Sequence, residues 1–309
     1  MPAVEMMQTS EMKERYLRTE GLNSLWCPGC GIGTISGAIV RAVENLNLPH
    51  DDVVIVTGIG CSGLIYNYLN FDGFHGTHGR ALPAATGMKI ANPRLKVIVP
   101  MGDGDCAAIG GNHFIQAARR NIDLTAIVIN NETYGMTGGQ YSPLSPRGSK
   151  HTTATLGHIE NPFDICKLAA GAGATYVARS TAFHVQQMVD LIGKAIMHPG
   201  FSVVEIMSQC HVHYGKRNYS EIASEMLFWY KDHALNVNRA AKMSDEEIGD
   251  RFITGELRNM IVPEWTAEYD KVIAKAQARS AEEHAKLIAH LREREFDKQT
   301  EPEHQGDEG

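Results

Sequence analysis

Short runs of β-branched and other apolar residues recur along the first two thirds of the chain, each closing on glycine or polar residues. Residues 52–57 (DVVIVT), 96–101 (KVIVPM), 124–129 (LTAIVI) and 201–207 (FSVVEIM) are apolar on both alternating faces. That pattern belongs to strands covered on both sides in a parallel sheet. A further strand is predicted at 174–178. Between the strands the apolar period changes to that of a helix. Ile35, Ile39, Val40 and Val43 lie in one running to about residue 47, and Ile109, Phe114, Ile115 and Ala118 in another over 106–120. Val185, Met188, Leu191 and Ile192 mark a third over 182–197, while 81–90 reads as a small-residue helix and 163–170 as helical. Strands alternating with helices predict an α/β fold, a parallel sheet with helices on both faces and right-handed crossovers. Ligands of such sheets sit outside the carboxyl ends of the strands.

The remaining stretches lack this alternation. Residues 1–24 are polar and charged and read as an N-terminal arm that gains order against a partner. Residues 74–80 read as a loop, and 134–140 as a glycine-rich loop covering a cofactor. Residues 141–160 have no apolar period, and so long a loop in a compact domain points to function or an interface. Beyond residue 215 the composition shifts. A helical pattern spans 219–238, and a charged helix spans 266–298 with Val272, Ala276, Ala281, Ala285 and Ile288 as a narrow stripe. Residues 299–309 are acidic and read as disordered. The expected organisation is an arm at 1–24, an α/β domain at 25–215 and a helical C-terminal extension at 216–309.

At 309 residues, 43% hydrophobic and 21% charged, the chain can bury a full core. Its net charge of −7 and lack of clustered Lys and Arg argue against a nucleic-acid surface. No apolar run approaches a membrane span, and the first residues show no charged-then-apolar signal pattern. A cytoplasmic location is expected, and six cysteines in that reducing compartment read as ligands or buried thiols rather than disulfides.

The chemistry gathers at predicted strand ends. The strand at 96–101 opens into Gly102, Asp103, Gly104 and Asp105, a turn that starts a helix and exposes backbone N–H groups suited to a diphosphate. The strand at 124–129 opens into Asn130 and Asn131. Asp103 and Asn131 therefore leave neighbouring strand ends at one sheet edge and can share a cation. A carboxylate, an amide oxygen, a backbone carbonyl and phosphate oxygens form the all-oxygen shell that Mg²⁺ prefers. This pair resembles the thiamine diphosphate motif, which implies Asp103, Asn131 and the Thr133 carbonyl as Mg²⁺ ligands.

Cys27 and Cys30 form a Cys-x-x-Cys at a helix mouth, a pattern open to thiol redox, zinc or iron–sulfur readings. Cys61 stands after Gly58, Ile59 and Gly60 at a strand end, and Cys210 follows the last core strand. Their spacing builds no short zinc ribbon, so any metal would sit inside the fold. Cys106 and Cys166 read as small buried residues.

The set resembles the four thiolates that hold a [4Fe-4S] cluster in the β subunit of 2-oxoacid:ferredoxin oxidoreductases. Further matches are Thr77 to Ala81, Gly102 to Asp105, Tyr134 to Gln140, and Gly215 to Asn218. The resemblance covers roughly residues 20–235, and several motifs agreeing in order are more specific than any alone. It implies a thiamine diphosphate-binding fold and oxidative decarboxylation of a 2-oxoacid with CoA to an acyl-CoA. Two electrons would leave one at a time through the cluster to ferredoxin. It assigns Cys27, Cys30, Cys61 and Cys210 to the cluster. Ile59, Gly60, Cys61, Ser62, His78, Gly104, Asp105, Gly135 and Met136 line the cofactor, with His78, Cys61 and Met136 nearest the reaction. The glutamate that thiamine enzymes place at the aminopyrimidine comes from a second domain, which implies an α subunit carrying that pyrimidine-binding domain and a heterotetramer. The residues around Cys61 and 74–80 look more like the 2-oxoglutarate branch, with succinyl-CoA as product. Leu64 and Met136 would face the substrate, and Leu64 does not match the basic residue that some members of the branch place near its distal carboxylate. Two other readings stand beside this one: a non-redox thiamine decarboxylase or carboligase with structural zinc, and a non-catalytic scaffold subunit.

Overall fold

The computed structural model describes residues 9–18 and 23–300, with side chains described over 11–18 and 23–292. Among the described residues eight strands form one sheet: β1 (Val53–Thr57), β2 (Asp72–His75), β3 (Lys96–Gly102), β4 (Thr125–Asn130), β5 (Tyr176–Thr181), β6 (Ser202–Met207), β7 (Ala234–Asn236) and β8 (Phe252–Asn259). Their spatial order is β2-β1-β3-β4-β6-β5-β8-β7. The first six are parallel. β8 then pairs antiparallel with β5, with a register shift at Val177/Ala178, and β7 runs parallel to β8.

The predicted double burial follows from the pleat, which sends successive side chains to opposite faces. Ile98, Ile127 and Ile129 pack on one face against Ile35, Ile39 and Val43 of the Gly31–Asn45 helix and Ile192 of Val185–Met197. Val97, Val99 and Val128 pack on the other against Leu82, Phe114 and Ile165, from the helices Ala81–Ala91, Gly111–Arg120 and Ile165–Ala172. Each such fully buried side chain contributes roughly 1.5–3 kcal/mol of transfer free energy.

Four expectations change. Residues 74 and 75, expected in a loop, end β2 beside β1. The helix predicted over 106–120 is broken into Asp103–Ala107 and Gly111–Arg120. Gly110 and Gly111 are poor helix formers, and a Cβ on Gly110 would fall 2.2 Å from the Asp105 carbonyl, so the chain turns tightly there. The N-terminal segment does not await a partner throughout: Thr9–Tyr16 is a helix, and Tyr16 is 1% exposed within the core, its hydroxyl bonded to Glu44. Residues 1–8 and 19–22 lie outside the described residues. The sheet also continues past residue 215, where helices alone were expected. Residues 216–265 supply β7 and β8, and the compact units divide at Trp265/Thr266. β8 escapes a period-two reading because Gly255 (φ 113°) interrupts it and much of it is half-exposed. The second unit is the greater part of the Trp265–Thr300 helix, whose described side chains are almost all exposed. The tail at 301–309 lies outside the described residues.

Candidate active site at the carboxyl edge of the sheet

β1, β3, β4 and β6 are consecutive parallel neighbours, so everything that follows them emerges along one edge. Gly58 to Ser62 leave β1, Gly102 to Asp105 leave β3, Asn130 to Thr133 leave β4, and Ser208 to Cys210 leave β6. These segments enclose a cavity of about 210 Å³ lined by Ile59, Gly60, Cys61, Ser62, His78, Asp103, Gly104, Asp105, Asn131, Thr133, Gly135 and Met136. Beside it lies a second hollow of about 240 Å³ lined by Cys27, Cys30, Cys61 and Cys210 together with Leu64. Cys61, Asn131, Gly135 and Met136 border both.

Asp103 is buried, and that burial pushes its carboxyl up to about 6. Ser142 Oγ donates to its Oδ2 at 2.6 Å, and the Gly104 N–H donates to its Oδ1 at 2.9 Å. No cationic side chain is among the groups that set its pKa. Asn131 Oδ1 is buried without a hydrogen-bond partner. The Thr133 hydroxyl is spent on the Gln140 carbonyl at 2.8 Å, which leaves the backbone carbonyl of Thr133 as its available donor. A buried carboxylate without a cation and an orphaned amide oxygen at the same wall fit a hard divalent ion.

Asp105 does a different job. Its Oδ1 accepts the Gly79 N–H at 2.6 Å and lies 2.8 Å from His78 Nδ1. That carboxylate raises the His78 pKa and holds the ring at the cavity wall. The pocket is tight behind these groups: a Cβ on Gly58 would fall 2.4 Å from the Asp105 carboxylate, and one on Gly104 would fall 2.1 Å from the Tyr134 ring.

The cysteines converge from three places. Cys27 and Cys30 form a turn closed by the Cys30 N–H to the Cys27 carbonyl at 2.9 Å. Gln209, next to Cys210, donates to the Gly29 carbonyl at 3.0 Å, and Trp26 Nε1 donates to the Cys61 carbonyl at 2.8 Å. Burial pushes Cys30 up to about 12 and Cys61 up to about 11, with neighbouring cysteines adding repulsion; Cys210 is raised for the same reasons. Thiols so placed resist ionisation unless a metal takes them. A Cβ on Gly135 would sit 3.4 Å from Cys210 Sγ and 3.7 Å from Cys61 Sγ, so a side chain there would enter the space between the sulfurs.

One zinc ion would draw its thiolates to within about 4 Å of each other. Among the described residues the four cysteines supply no group of three sulfurs within 4.8 Å of one another. The group that does meet this distance is Asp164, Cys166 and Glu205. It already holds a cation. Arg179 Nε donates to Glu205 Oε2 at 2.6 Å and its Nη2 to Asp164 Oδ1 at 2.7 Å. Cys166 and Cys106 are buried in the core, away from the cysteine hollow.

Residues 58–206 match the family model for the thiamine pyrophosphate enzyme C-terminal TPP binding domain. The 2-oxoglutarate synthase subunit KorB of Methanocaldococcus jannaschii is 47% identical over 264 residues, covering 85% of this chain and 98% of that one. The chain belongs to the β-subunit family of 2-oxoacid:ferredoxin oxidoreductases. Within this family the KorB subunit of Archaeoglobus fulgidus is 56% identical over 198 residues, 64% of this chain and 74% of that one. A solved structure, 2-oxoglutarate:ferredoxin oxidoreductase from Magnetococcus marinus with 2-oxoglutarate, coenzyme A and succinyl-CoA bound, superposes with a TM-score of 0.77. It is 31% identical, with 89% of this chain and 93% of that chain covered.

Sequence reasoning missed several groups at this β-subunit site. Ser142 lies in the long loop and carries no motif, yet it bonds the buried carboxylate. Tyr134 was read as part of a covering loop, but its ring packs over Gly104. Glu132, between the two metal-motif positions, has φ +61°, a conformation costing on the order of 1–3 kcal/mol for a residue other than glycine. Burial pushes its carboxyl up to about 7. The positive φ at Glu132 is hidden from motif matching, and so is the path of the long loop that brings Ser142 to Asp103.

Proposed function

We propose that this chain is the β subunit of a 2-oxoglutarate:ferredoxin oxidoreductase, converting 2-oxoglutarate and CoA to succinyl-CoA and CO₂ with ferredoxin as electron acceptor. The observation that carries the reading is the shared wall: Cys61, Asn131, Gly135 and Met136 face both the diphosphate-type cavity and the four-cysteine hollow. Electrons leaving one site need cross only that wall to reach the other.

In this reading Asp103, Asn131 Oδ1 and the Thr133 carbonyl hold Mg²⁺ on the diphosphate. Cys27, Cys30, Cys61 and Cys210 hold a [4Fe-4S] cluster. Thiamine diphosphate, when bound, supplies the carbanion chemistry that makes a 2-oxoacid lose CO₂. The chain's own groups position and shield. Ile59, Gly60, Ser62, Gly104, Asp105 and Gly135 line the cofactor, while Met136 covers the reacting end. His78, kept protonated more readily by Asp105, offers a hydrogen-bond donor and a proton at its ring nitrogen on the cavity wall. An α subunit supplies the aminopyrimidine-side glutamate, and two such pairs form a heterotetramer. Among the described residues no helix is long and apolar enough to cross a membrane, and six free thiols suit a reducing cytoplasm.

The test is anaerobic co-purification with the partner subunit, followed by assay of several 2-oxoacids with CoA and a one-electron acceptor. Turnover with 2-oxoglutarate above pyruvate, together with iron and acid-labile sulfide in the protein, is the expected result. A colourless protein containing zinc, or turnover by this chain alone, overturns it.

A further inference from the structure

We propose that residues 142–145 form a two-pronged clamp on the metal motif, in which Ser145 is a positioning residue for the segment carrying Asn131 and the Thr133 carbonyl. This deepens the Mg²⁺ reading of the cavity and rests on it.

Ser142, Pro143, Leu144 and Ser145 build their own turn. Proline in the second place presets φ for a turn, and the Ser145 N–H closes it on the Ser142 carbonyl at 3.1 Å. Each serine hydroxyl accepts a backbone N–H of the same turn: Ser145 Oγ takes that of Ser142 at 2.8 Å, and Ser142 Oγ that of Leu144 at 3.3 Å. A hydroxyl has a single proton to give. Ser142 gives its proton to Asp103 Oδ2 and Ser145 gives its own to the Glu132 carbonyl, both at 2.6 Å. With both protons spent, the 3.5 Å contact between the two hydroxyl oxygens adds little.

The prongs reach the two halves of the motif. Asp103 follows β3, and Glu132 stands between Asn131 and Thr133 after β4. The sheet registers these halves as far as Gly102 opposite Ile129. Past that pair, Glu132 has φ +61°, which a residue other than glycine keeps only where its surroundings over-determine it. They do so on both sides: its N–H donates to Asn130 Oδ1 at 3.2 Å, and its carbonyl takes the Ser145 proton. The Thr133 hydroxyl and the Tyr134 N–H both go to the Gln140 carbonyl, at 2.8 and 2.9 Å, and so tie the segment to its own loop rather than to β3. The halves also meet where the Thr133 N–H bonds the Asp103 carboxylate, and the clamp reinforces that meeting by a separate path. The turn is itself anchored. Leu144 packs in the core with Val128 and Ile165, and the Phe163 N–H donates to the Pro143 carbonyl at 2.9 Å. Both serines are fully buried, so deleting the Ser145 hydroxyl strands the Ser142 N–H and the Glu132 carbonyl.

The experiment uses the complex with its partner subunit, stripped of cofactor and metal, with Ser145→Ala and the nearly isosteric Ser145→Cys, whose thiol is a weak donor. Calorimetry gives the Kd for thiamine diphosphate with saturating Mg²⁺ and, separately, with saturating Ca²⁺. Mg²⁺ demands a close octahedron, whereas Ca²⁺ accepts a wider and more variable shell. Opening the clamp is expected to weaken binding with Mg²⁺ about fivefold or more. With Ca²⁺ the loss is smaller, so the ratio of the two affinities falls about threefold in both variants. A wild-type Kd with Mg²⁺ overturns the inference, and so does equal weakening with both cations, because a serine that merely stabilised the loop would not tell the ions apart. Ser142→Ala combined with Ser145→Ala is expected to cost less than the product of the single changes, since either alone opens the clamp. A multiplicative loss overturns it too. Ser145→Cys preserves volume and carries the test where Ser145→Ala fails to fold. A wild-type complex that binds no thiamine diphosphate with either cation overturns the functional reading instead, which separates the two failures.

Discussion

Ser142 Oγ donates to Asp103 Oδ2 at 2.6 Å, joining the long loop after β4 to the buried carboxylate at the end of β3. The same serine receives the Leu144 N–H at 3.3 Å, so the loop is built around it. A hydrogen bond to a charged group contributes about 1.5–3 kcal/mol. Ser142→Ala is therefore expected to weaken Mg²⁺-dependent thiamine diphosphate binding about tenfold or more. Asp103→Asn should abolish it. Calorimetry on the cofactor-stripped protein measures both, and unchanged affinity in Ser142→Ala would show that the serine only shapes the loop.

Gly104 has no room for a side chain, because the Tyr134 ring occupies the place of its Cβ. Gly104→Ala is expected to push Tyr134 out of the cavity wall and to cost at least tenfold in cofactor affinity. The melting temperature should fall little, since the displaced ring is only half-buried. Quenching of intrinsic fluorescence on cofactor binding reports the change.

His151 is 1% exposed, with Nε2 2.9 Å from Ser149 Oγ, and burial pushes its pKa down to about 4. The unfolded imidazole protonates near pH 6.5 and the folded one near 4, so the unfolded state binds the extra proton between these values. Stability is therefore lost as pH falls from about 6.5 to about 4, by at most about 3 kcal/mol from this residue. Comparison with His151→Gln isolates the effect from Asp103 and Glu132, whose raised carboxyls act in the opposite direction. Urea melts at pH 7 and pH 4.5 should show a smaller difference in the variant; an equal difference would exclude His151 as the source.

Arg179 carries the charge of a buried network, bonded to Glu205 and Asp164, and Glu205 also receives Asn130 and the Cys166 thiol. Removing the guanidinium leaves an uncompensated buried carboxylate, a change that costs on the order of 3–5 kcal/mol. Arg179→Met should lower stability by that amount in denaturant titrations. Arg179→Met combined with Glu205→Leu should recover part of it.

The strands β1, β3, β4 and β6 were legible because burial on both faces leaves unbroken apolar runs, and the motifs at their ends could then be assigned to one edge. β2 was not, since all four of its residues are exposed and no apolar run marks it. β7 and β8 were hidden for a related reason: they extend the sheet antiparallel beyond β5, where half-exposure and Gly255 blur any period. The burial of Tyr16 depends on its meeting Phe71 and His50, residues far along the chain.

By itself the sequence determined which residue types stand where a ligand could be held: thiols for a soft metal, a carboxylate and an amide for a hard cation, glycines where a phosphate or a ring must approach. Those are properties of single residues and their near neighbours. Only the tertiary structure decided that Cys210 and Cys61 flank the same glycine and that Ser142 holds Asp103. Such relations depend on how strands order themselves in the sheet and how long loops fold back across it, and neither is written in any local pattern.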